Sequence, residues 1–222
     1  MPLSQTTLTT DSYAYPDLIS PFIFVENRWI KRFADIGFSL AFLVLVFPFV
    51  YVIIGGLIKL DSKGPVFFRQ YRTGKDDKQF LCYKFRTMRT NNDDESRQAT
   101  KGDTRITPIG AFLRKTSLDE LPQFINVLLG EMSVVGPRPM MVKHTEDFKK
   151  IVHRFEDRQV VTPGITGHAQ VNGYRGEISS GNSIQDRVEY DLWYIRHWNP
   201  WLDIKIVYQT VMNMLKGEDN AY

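Results

Sequence analysis

Residues 40–54 read "LAFLVLVFPFVYVII", a wholly apolar stretch with Pro48 at its centre. The charge-free run around it extends over residues 36–58, longer than the ~18 apolar residues at which a membrane helix becomes the default reading. A secretory signal is the weaker reading, because the run begins far from Met1 and the leader "MPLSQTTLTTDSYAYPDL" lacks a basic n-region. Arg28, Lys31 and Arg32 precede the run, and Lys59, Lys63, Arg69 and Arg72 follow it closely. A crossing helix concentrates Lys and Arg on one side, so this distribution predicts that both ends face the cytoplasm. Pro48 lacks the N–H that would satisfy the Val44 carbonyl, and its ring crowds the preceding turn. The leg from residue 36 to 47 rises only about 18 Å at ~1.5 Å per residue, short of the ~30 Å hydrocarbon core. The expectation is a re-entrant helix-break-helix in one leaflet; a kinked but spanning helix is the alternative.

Outward from this segment, the 222 residues, 43% of them hydrophobic, suffice for one catalytic domain beside a membrane element. The division reads as a flexible leader at 1–28, a re-entrant membrane segment at 29–60 and a catalytic domain with interfacial helices at 61–222. The fold class is α+β, mainly helical, with one small β-hairpin. A net charge of +3 suits anionic headgroups or a phosphorylated substrate. No nucleic-acid-binding signature is present. The single cysteine, Cys82, excludes an internal disulfide, fits a reducing compartment and reads as a small apolar strand residue.

"VFFRQYRTGKDDKQFLCYKFRTM" gives two strand-like runs around a turn at 74–77, a β-hairpin. Lys84 and Arg86 share one face of its second strand by the period of two, where they meet phosphate or simply solvent. "RTNNDDESRQATKGDTR" reads as a polar loop. "ITPIGAFLRK" opens a helix with Thr107 as N-cap and Pro108 at its first position, and Arg114 falls near its end. "TSLDELPQFINVLLG" then places Leu121, Phe124, Ile125, Leu128 and Leu129 at helical spacing, stopped by Gly130.

Asp119 and Glu120 stand at the start of that second helix. They fit a capping box from Ser117 to Glu120, complementing the helix dipole. They also fit a catalytic pair, one carboxylate acting as oxygen nucleophile and the other holding a divalent cation. In "SVVGPRPMM", Arg138 lies between Pro137 and Pro139, which aims its guanidinium at little entropic cost, towards either a phosphate or a structural ion pair. "VTPGITGHAQVNGYRGE" is glycine-rich but lacks both the dinucleotide and the P-loop order. His144, His153, His168 and His197 show no metal-ligand spacing. "SIQDRVEYDLWYIRHW" and "WLDIKIVYQTVMNMLKG" read as amphipathic helices, the second capped by Asn199 and stopped by Gly217, and either suits a membrane surface. Trp29, Trp193, Trp198 and Trp201 form a candidate interfacial belt.

Taken in order, "DSKGPVFFRQYRTG", "YKFRTM", "RITPIGAFLRKTSLDELPQFINVLLGEMSVVGPRPM", "TPGITGHAQVNGYRGE" and "RVEYDLWYIRHWNPWLDIKI" resemble the bacterial sugar transferases, the monotopic polyprenyl-phosphate phosphoglycosyl transferases. The resemblance runs from about residue 31 to the end, and is strongest to the branch that initiates exopolysaccharide or O-antigen synthesis with a hexose 1-phosphate. It implies the minimal catalytic form, placed on the cytoplasmic face of the bacterial inner membrane. In the family the re-entrant break falls at a Ser-Pro pair, where this chain has Phe47-Pro48.

The resemblance further implies that Asp119 attacks the β-phosphate of a UDP-sugar, expels UMP and carries the sugar phosphate until polyprenyl phosphate, such as undecaprenyl phosphate, accepts it. Glu120 would hold Mg2+, and Arg138, Arg114, Lys84 and Arg86 would contact phosphate or nucleotide. Implied partners are the UDP-sugar, polyprenyl phosphate, membrane lipid and downstream glycosyltransferases. Two other readings stay open: a membrane-anchored phosphohydrolase in which water takes the group from Asp119, and a non-catalytic scaffold in which the carboxylates only cap a helix.

Overall fold

The computed structural model describes residues 20–90, 100, 102–176 and 181–216. Most of the leader, most of the polar stretch after the hairpin and Gly217 lie outside the described residues. Helix α1 (Val25–Leu45) and helix α2 (Phe47–Asp61) meet at Val46 with a 58° bend. Among the described residues no single helix is long and apolar enough to cross a membrane, although the bent pair qualifies together. Pro48 sits in the first turn of α2, where its missing N–H leaves no intrahelical bond unmade.

The first leg is longer than its apolar part predicted, because α1 begins in the polar stretch before residue 36 and that half docks on the domain. Arg32 donates to the Val127 and Leu128 carbonyls at 2.6 and 2.9 Å, and Asp35 accepts the Val134 N–H at 3.0 Å. At the far end, Asp61 accepts the Ile109 N–H at 3.2 Å. Both ends of the bent pair are thus tied to one body. Between them Val44, Leu45, Phe49, Val52 and Ile53 are exposed.

Phe47, in place of a hydroxyl residue at the break, turns inward instead. Its ring stacks on Phe85 at 6.0 Å and stands 6.3 Å from Phe42, which packs on Phe124 at 4.3 Å. Aromatic burial therefore stabilises the bend, each such ring pair adding about 0.5–1.5 kcal/mol beyond area burial.

Strands β1 (Phe67–Thr73) and β2 (Gln79–Phe85) form the expected antiparallel hairpin, with Phe67 opposite Phe85. Helix α3 (Pro108–Lys115) starts as predicted, the Thr107 hydroxyl accepting the Gly110 N–H at 3.0 Å. Helix α4 (Gln123–Leu129) ends at Gly130, whose φ of 85° is the left-handed conformation that favours glycine there. Its inward face differs from the expected one: Leu129 is exposed, whereas Asn126 and Val127 are wholly buried. The Asn126 side chain donates to the Leu81 carbonyl at 2.7 Å and accepts the Tyr83 N–H at 3.0 Å. It replaces a missing strand neighbour and so fixes β2 against α4.

Strand β3 (Ser133–Val135) leads through the Pro-Arg-Pro turn to β4 (Met140–Met141), which pairs with β1 to complete the sheet order β2-β1-β4. Helix α5 (Val142–Ile151) and a 3-10 segment (Phe155–Val160) follow. Strand β5 (Gly164–Thr166) runs parallel to β3. The glycine-rich stretch explains itself at this contact: a Cβ on Gly164 would lie 2.0 Å from the Gly136 nitrogen, and one on Gly167 2.2 Å from the Gly136 carbonyl oxygen. These glycines let two backbones close on the base of the Pro-Arg-Pro turn.

After the short α6 (His168–Val171), helices α7 (Gly181–His197) and α8 (Pro200–Lys216) complete the chain. Ile184, Val188, Leu192 and Ile195 place α7 in the main core, which corrects its reading as an interfacial helix. Helix α8 has the predicted cap, the Leu202 N–H donating to the Asn199 side chain at 3.0 Å. Its Trp201, Ile204, Tyr208, Val211 and Leu215 form an exposed apolar stripe. The tryptophan belt also needs correction. Trp198 is buried, packs on Phe22 at 4.7 Å and donates to Asp203 at 3.1 Å, whereas Trp29 and Trp201 are exposed.

Candidate active site

Between α3 and α4 the chain turns at Ser117, whose φ of 58° is left-handed, and enters a 3-10 turn (Leu118–Glu120) that carries both carboxylates. The expected capping box is not formed. Ser117 makes no side-chain cap and its hydroxyl is buried without a partner. Glu120 turns instead towards cations from three separate segments.

Lys84 on β2 reaches Glu120 Oε1 at 2.7 Å. Arg138, from the Pro-Arg-Pro turn, grips both oxygens, Nη2 at 2.6 Å from Oε1 and Nη1 at 3.2 Å from Oε2. Arg175, in the loop after α6, donates to Oε2 at 3.2 Å. Asp119 is held far more loosely, its closest ion-pair contact among the described residues being Lys84 Nζ at 3.8 Å.

The adjacent carboxylates are therefore electrostatically unlike. Burial pushes the Asp119 carboxyl above its ordinary value, with Lys84 pulling the other way. Burial also acts on Glu120, but the Arg138, Lys84 and Arg175 charges outweigh it and hold that carboxyl well below the usual range. One carboxylate is a permanently charged hub; the other is a buried, under-compensated anion suited to forming a bond.

Lys84 and Arg138 are thus brought to the dyad as expected. Arg114 stands behind it, donating Nε to Thr87 Oγ1 at 2.8 Å, and its charge bears on Asp119. Arg86 is elsewhere, which corrects the strand-face reading. Its guanidinium reaches the Ser62 hydroxyl and carbonyl at 2.5 and 2.8 Å and the Pro65 carbonyl at 2.6 Å. It locks the end of α2 to the strand that carries Lys84, coupling the bent helix pair to the site.

Sequence reasoning missed Arg175, whose signal was a lone cation next to glycine in "GYRGE". It also missed the support beneath Arg138. Arg158 donates to the Arg138 carbonyl at 2.8 Å and to Asp191 at 2.6 and 2.9 Å, fixing the turn from behind.

The donor set does not fit a resident Mg2+ at Glu120. Three cations already occupy its two oxygens and would repel a divalent ion.

A test of the Asp119 environment follows from its raised pKa. A nucleophilic Asp119 would need its ionised carboxylate, so a single-turnover rate would fall as pH drops through that pKa. Lys84 holds it down, so Lys84→Met should move the acid limb to higher pH. An unmoved limb would show that another group titrates.

A family model described as bacterial sugar transferase matches residues 26–217. The UDP-glucose:undecaprenyl-phosphate glucose-1-phosphate transferase of Klebsiella pneumoniae is 51% identical over 186 residues, 83% of this chain and 40% of that protein. The exopolysaccharide production protein PSS of Rhizobium leguminosarum bv. phaseoli is 43% identical over 191 residues, 84% of this chain and 95% of that protein. A UDP-N-acetylgalactosamine-undecaprenyl-phosphate N-acetylgalactosaminephosphotransferase of Aeromonas hydrophila is 40% identical over 190 residues, covering 85% of this chain and 44% of that relative. The chain thus spans less than half the length of the first and third of these relatives and nearly all of the second. Given a match over nearly all its described residues, the chain belongs to the bacterial sugar transferase family.

Proposed function

We propose that this protein transfers a sugar 1-phosphate from a UDP-sugar to polyprenyl phosphate, releasing UMP, as the first membrane step of an exopolysaccharide, capsule or O-antigen pathway. The observation that carries this reading is the division of the dyad: a clamped Glu120 beside a loosely held, buried Asp119. An Asp119 oxygen bonds to the β-phosphorus while the bridging oxygen departs with UMP. The resulting acyl phosphate keeps the reactivity of an anhydride. A polyprenyl phosphate oxygen then bonds to the same phosphorus, and the Asp119 carboxylate is released. Neither step requires a proton from the protein.

Lys84, Arg138 and Arg175 converge where charge develops on the phosphoryl oxygens, which preorganised cations stabilise. The names of the relatives support an undecaprenyl acceptor and a UDP-sugar donor, and they differ in the sugar.

For location, we read the bent pair as a re-entrant anchor in the bacterial inner membrane, with the site on the cytoplasmic face. Support comes from both helix ends docking on one body and from the exposed apolar bend and α8 stripe. Labelling an N-terminal tag on intact cells reads the topology, and periplasmic exposure would overturn the re-entrant reading.

The reaction is tested with detergent-solubilised protein, undecaprenyl phosphate and a panel of UDP-sugars. Lipid-linked product with UMP is the expected outcome. Free sugar phosphate without lipid would favour a phosphohydrolase, and no UMP from any donor would favour a scaffold.

A further inference from the structure

Arg187 on α7 is a buried cation that makes no ion pair among the described residues; Asp191, which attracts it from one turn away, is bonded elsewhere. Arg187 is 6% exposed, and its hydrogen bond among the described residues runs from Nη2 to the Gly176 carbonyl at 2.9 Å. Its Nε has no partner. The carboxylate one turn further along α7, Asp191, is taken by Arg158. Burial, with the charges of Arg138 and Arg158, lowers its pKa to about 10, so the fold disfavours the ionised form. Leaving a guanidinium in this condition is costly unless an anion completes it.

Its position says which anion. A closed path of contacts runs from Glu120 to Arg138, through the Arg138 carbonyl to Arg158 and Asp191, one turn along α7 to Arg187, across to Gly176, and through its neighbour Arg175 back to Glu120. Arg187 is therefore linked by contacts to both segments that hold Glu120. Within this set Lys84, Arg138, Arg158, Arg175 and Arg187 outnumber Asp119, Glu120 and Asp191. The surplus positive charge calls for a ligand with more than one negative charge, such as a diphosphate.

Lys84 and Arg114 act on Asp119; Arg187 is joined to the site through the Arg138 and Arg175 segments, which hold Glu120. We propose that Arg187 binds the phosphoryl group of the nucleotide sugar farther from Asp119, the one that leaves with the nucleoside. This deepens the transferase reading and rests on it. Arg187 holds the donor and its departing monophosphate without contacting the lipid acceptor.

UMP binding to the full chain in detergent tests this, by calorimetry on wild type, Arg187→Met and Arg187→Lys, with thermal unfolding of each free protein. Loss of a charge-assisted phosphate contact predicts UMP affinity at least about tenfold weaker in Arg187→Met, with a smaller loss in Arg187→Lys. Because the native charge is disfavoured, the free Arg187→Met protein should melt no lower than wild type. Unchanged UMP affinity in a folded variant would overturn the assignment, with Arg187→Lys deciding the matter if Arg187→Met does not fold. Wild type that binds no UMP would instead overturn the transferase reading itself, and the assignment with it.

Discussion

Asp119→Asn should abolish sugar phosphate transfer, with a loss on the order of 10⁴-fold or more, while the free protein should melt at or above the wild-type temperature. The two effects share one cause. Asp119 is 7% exposed, its closest ion-pair contact among the described residues is Lys84 at 3.8 Å, and burial raises its pKa. The fold therefore carries its ionised form at a cost, and the amide of Asn removes that cost without changing the shape. On the proposed mechanism, the same change removes the oxygen anion that bonds to phosphorus. Such a pairing of lost activity with retained or gained stability is expected of a group placed for chemistry. UMP release and thermal unfolding, measured on one preparation, check both halves. A folded variant with near-wild-type turnover would return Asp119 to the role of a turn residue.

Glu120→Ala should behave in the opposite sense. Lys84, Arg138 and Arg175 all close on this carboxylate, and its removal leaves three partly buried cations repelling one another. Breaking a buried ionic cluster by deleting one partner costs about 3–5 kcal/mol. Transfer should also fall by about 10²–10³-fold, because the cations lose the anchor that preorganises them. The stability loss should depend on pH. The Glu120 carboxyl is held well below its ordinary value, so its contribution is complete above the unfolded-state pKa and fades as pH falls through the depressed one. Wild type and variant should therefore converge in stability only in strong acid. Chemical unfolding across pH reads this, and a variant as stable as wild type at neutral pH would contradict the hub role of Glu120.

These contrasting roles show what the sequence could and could not carry. The bend at Pro48, the hairpin turn and the caps at Thr107 and Asn199 were legible because each depends on local chemistry, a restricted backbone or a side-chain oxygen beside the first turn of a helix. The dyad was legible as a pair, yet its split into nucleophile and hub was not, since it arises from cations delivered by β2, the Pro-Arg-Pro turn and the loop after α6. Strand period put Arg86 beside Lys84 but could not show that the end of α2 would dock there and take its donors. Likewise Ser117 fitted a capping pattern, and only its left-handed backbone prevents the cap. Trp198 and α7 looked interfacial because an amphipathic face reads alike whether it meets lipid or another element. Arg158, Arg187 and Asp191 are separated from the dyad by many residues, and closure of the fold alone joins them to it.

Intact-mass measurement of the protein after incubation with a UDP-sugar, UDP-glucose first, in the absence of polyprenyl phosphate tests the central claim most directly. The account predicts a mass increase of one sugar phosphate, mapped to Asp119, with UMP released in equal amount and the adduct discharged when undecaprenyl phosphate is added. UMP release that appears only with lipid present, from protein that never carries the adduct, would contradict it and point to direct transfer between the two substrates.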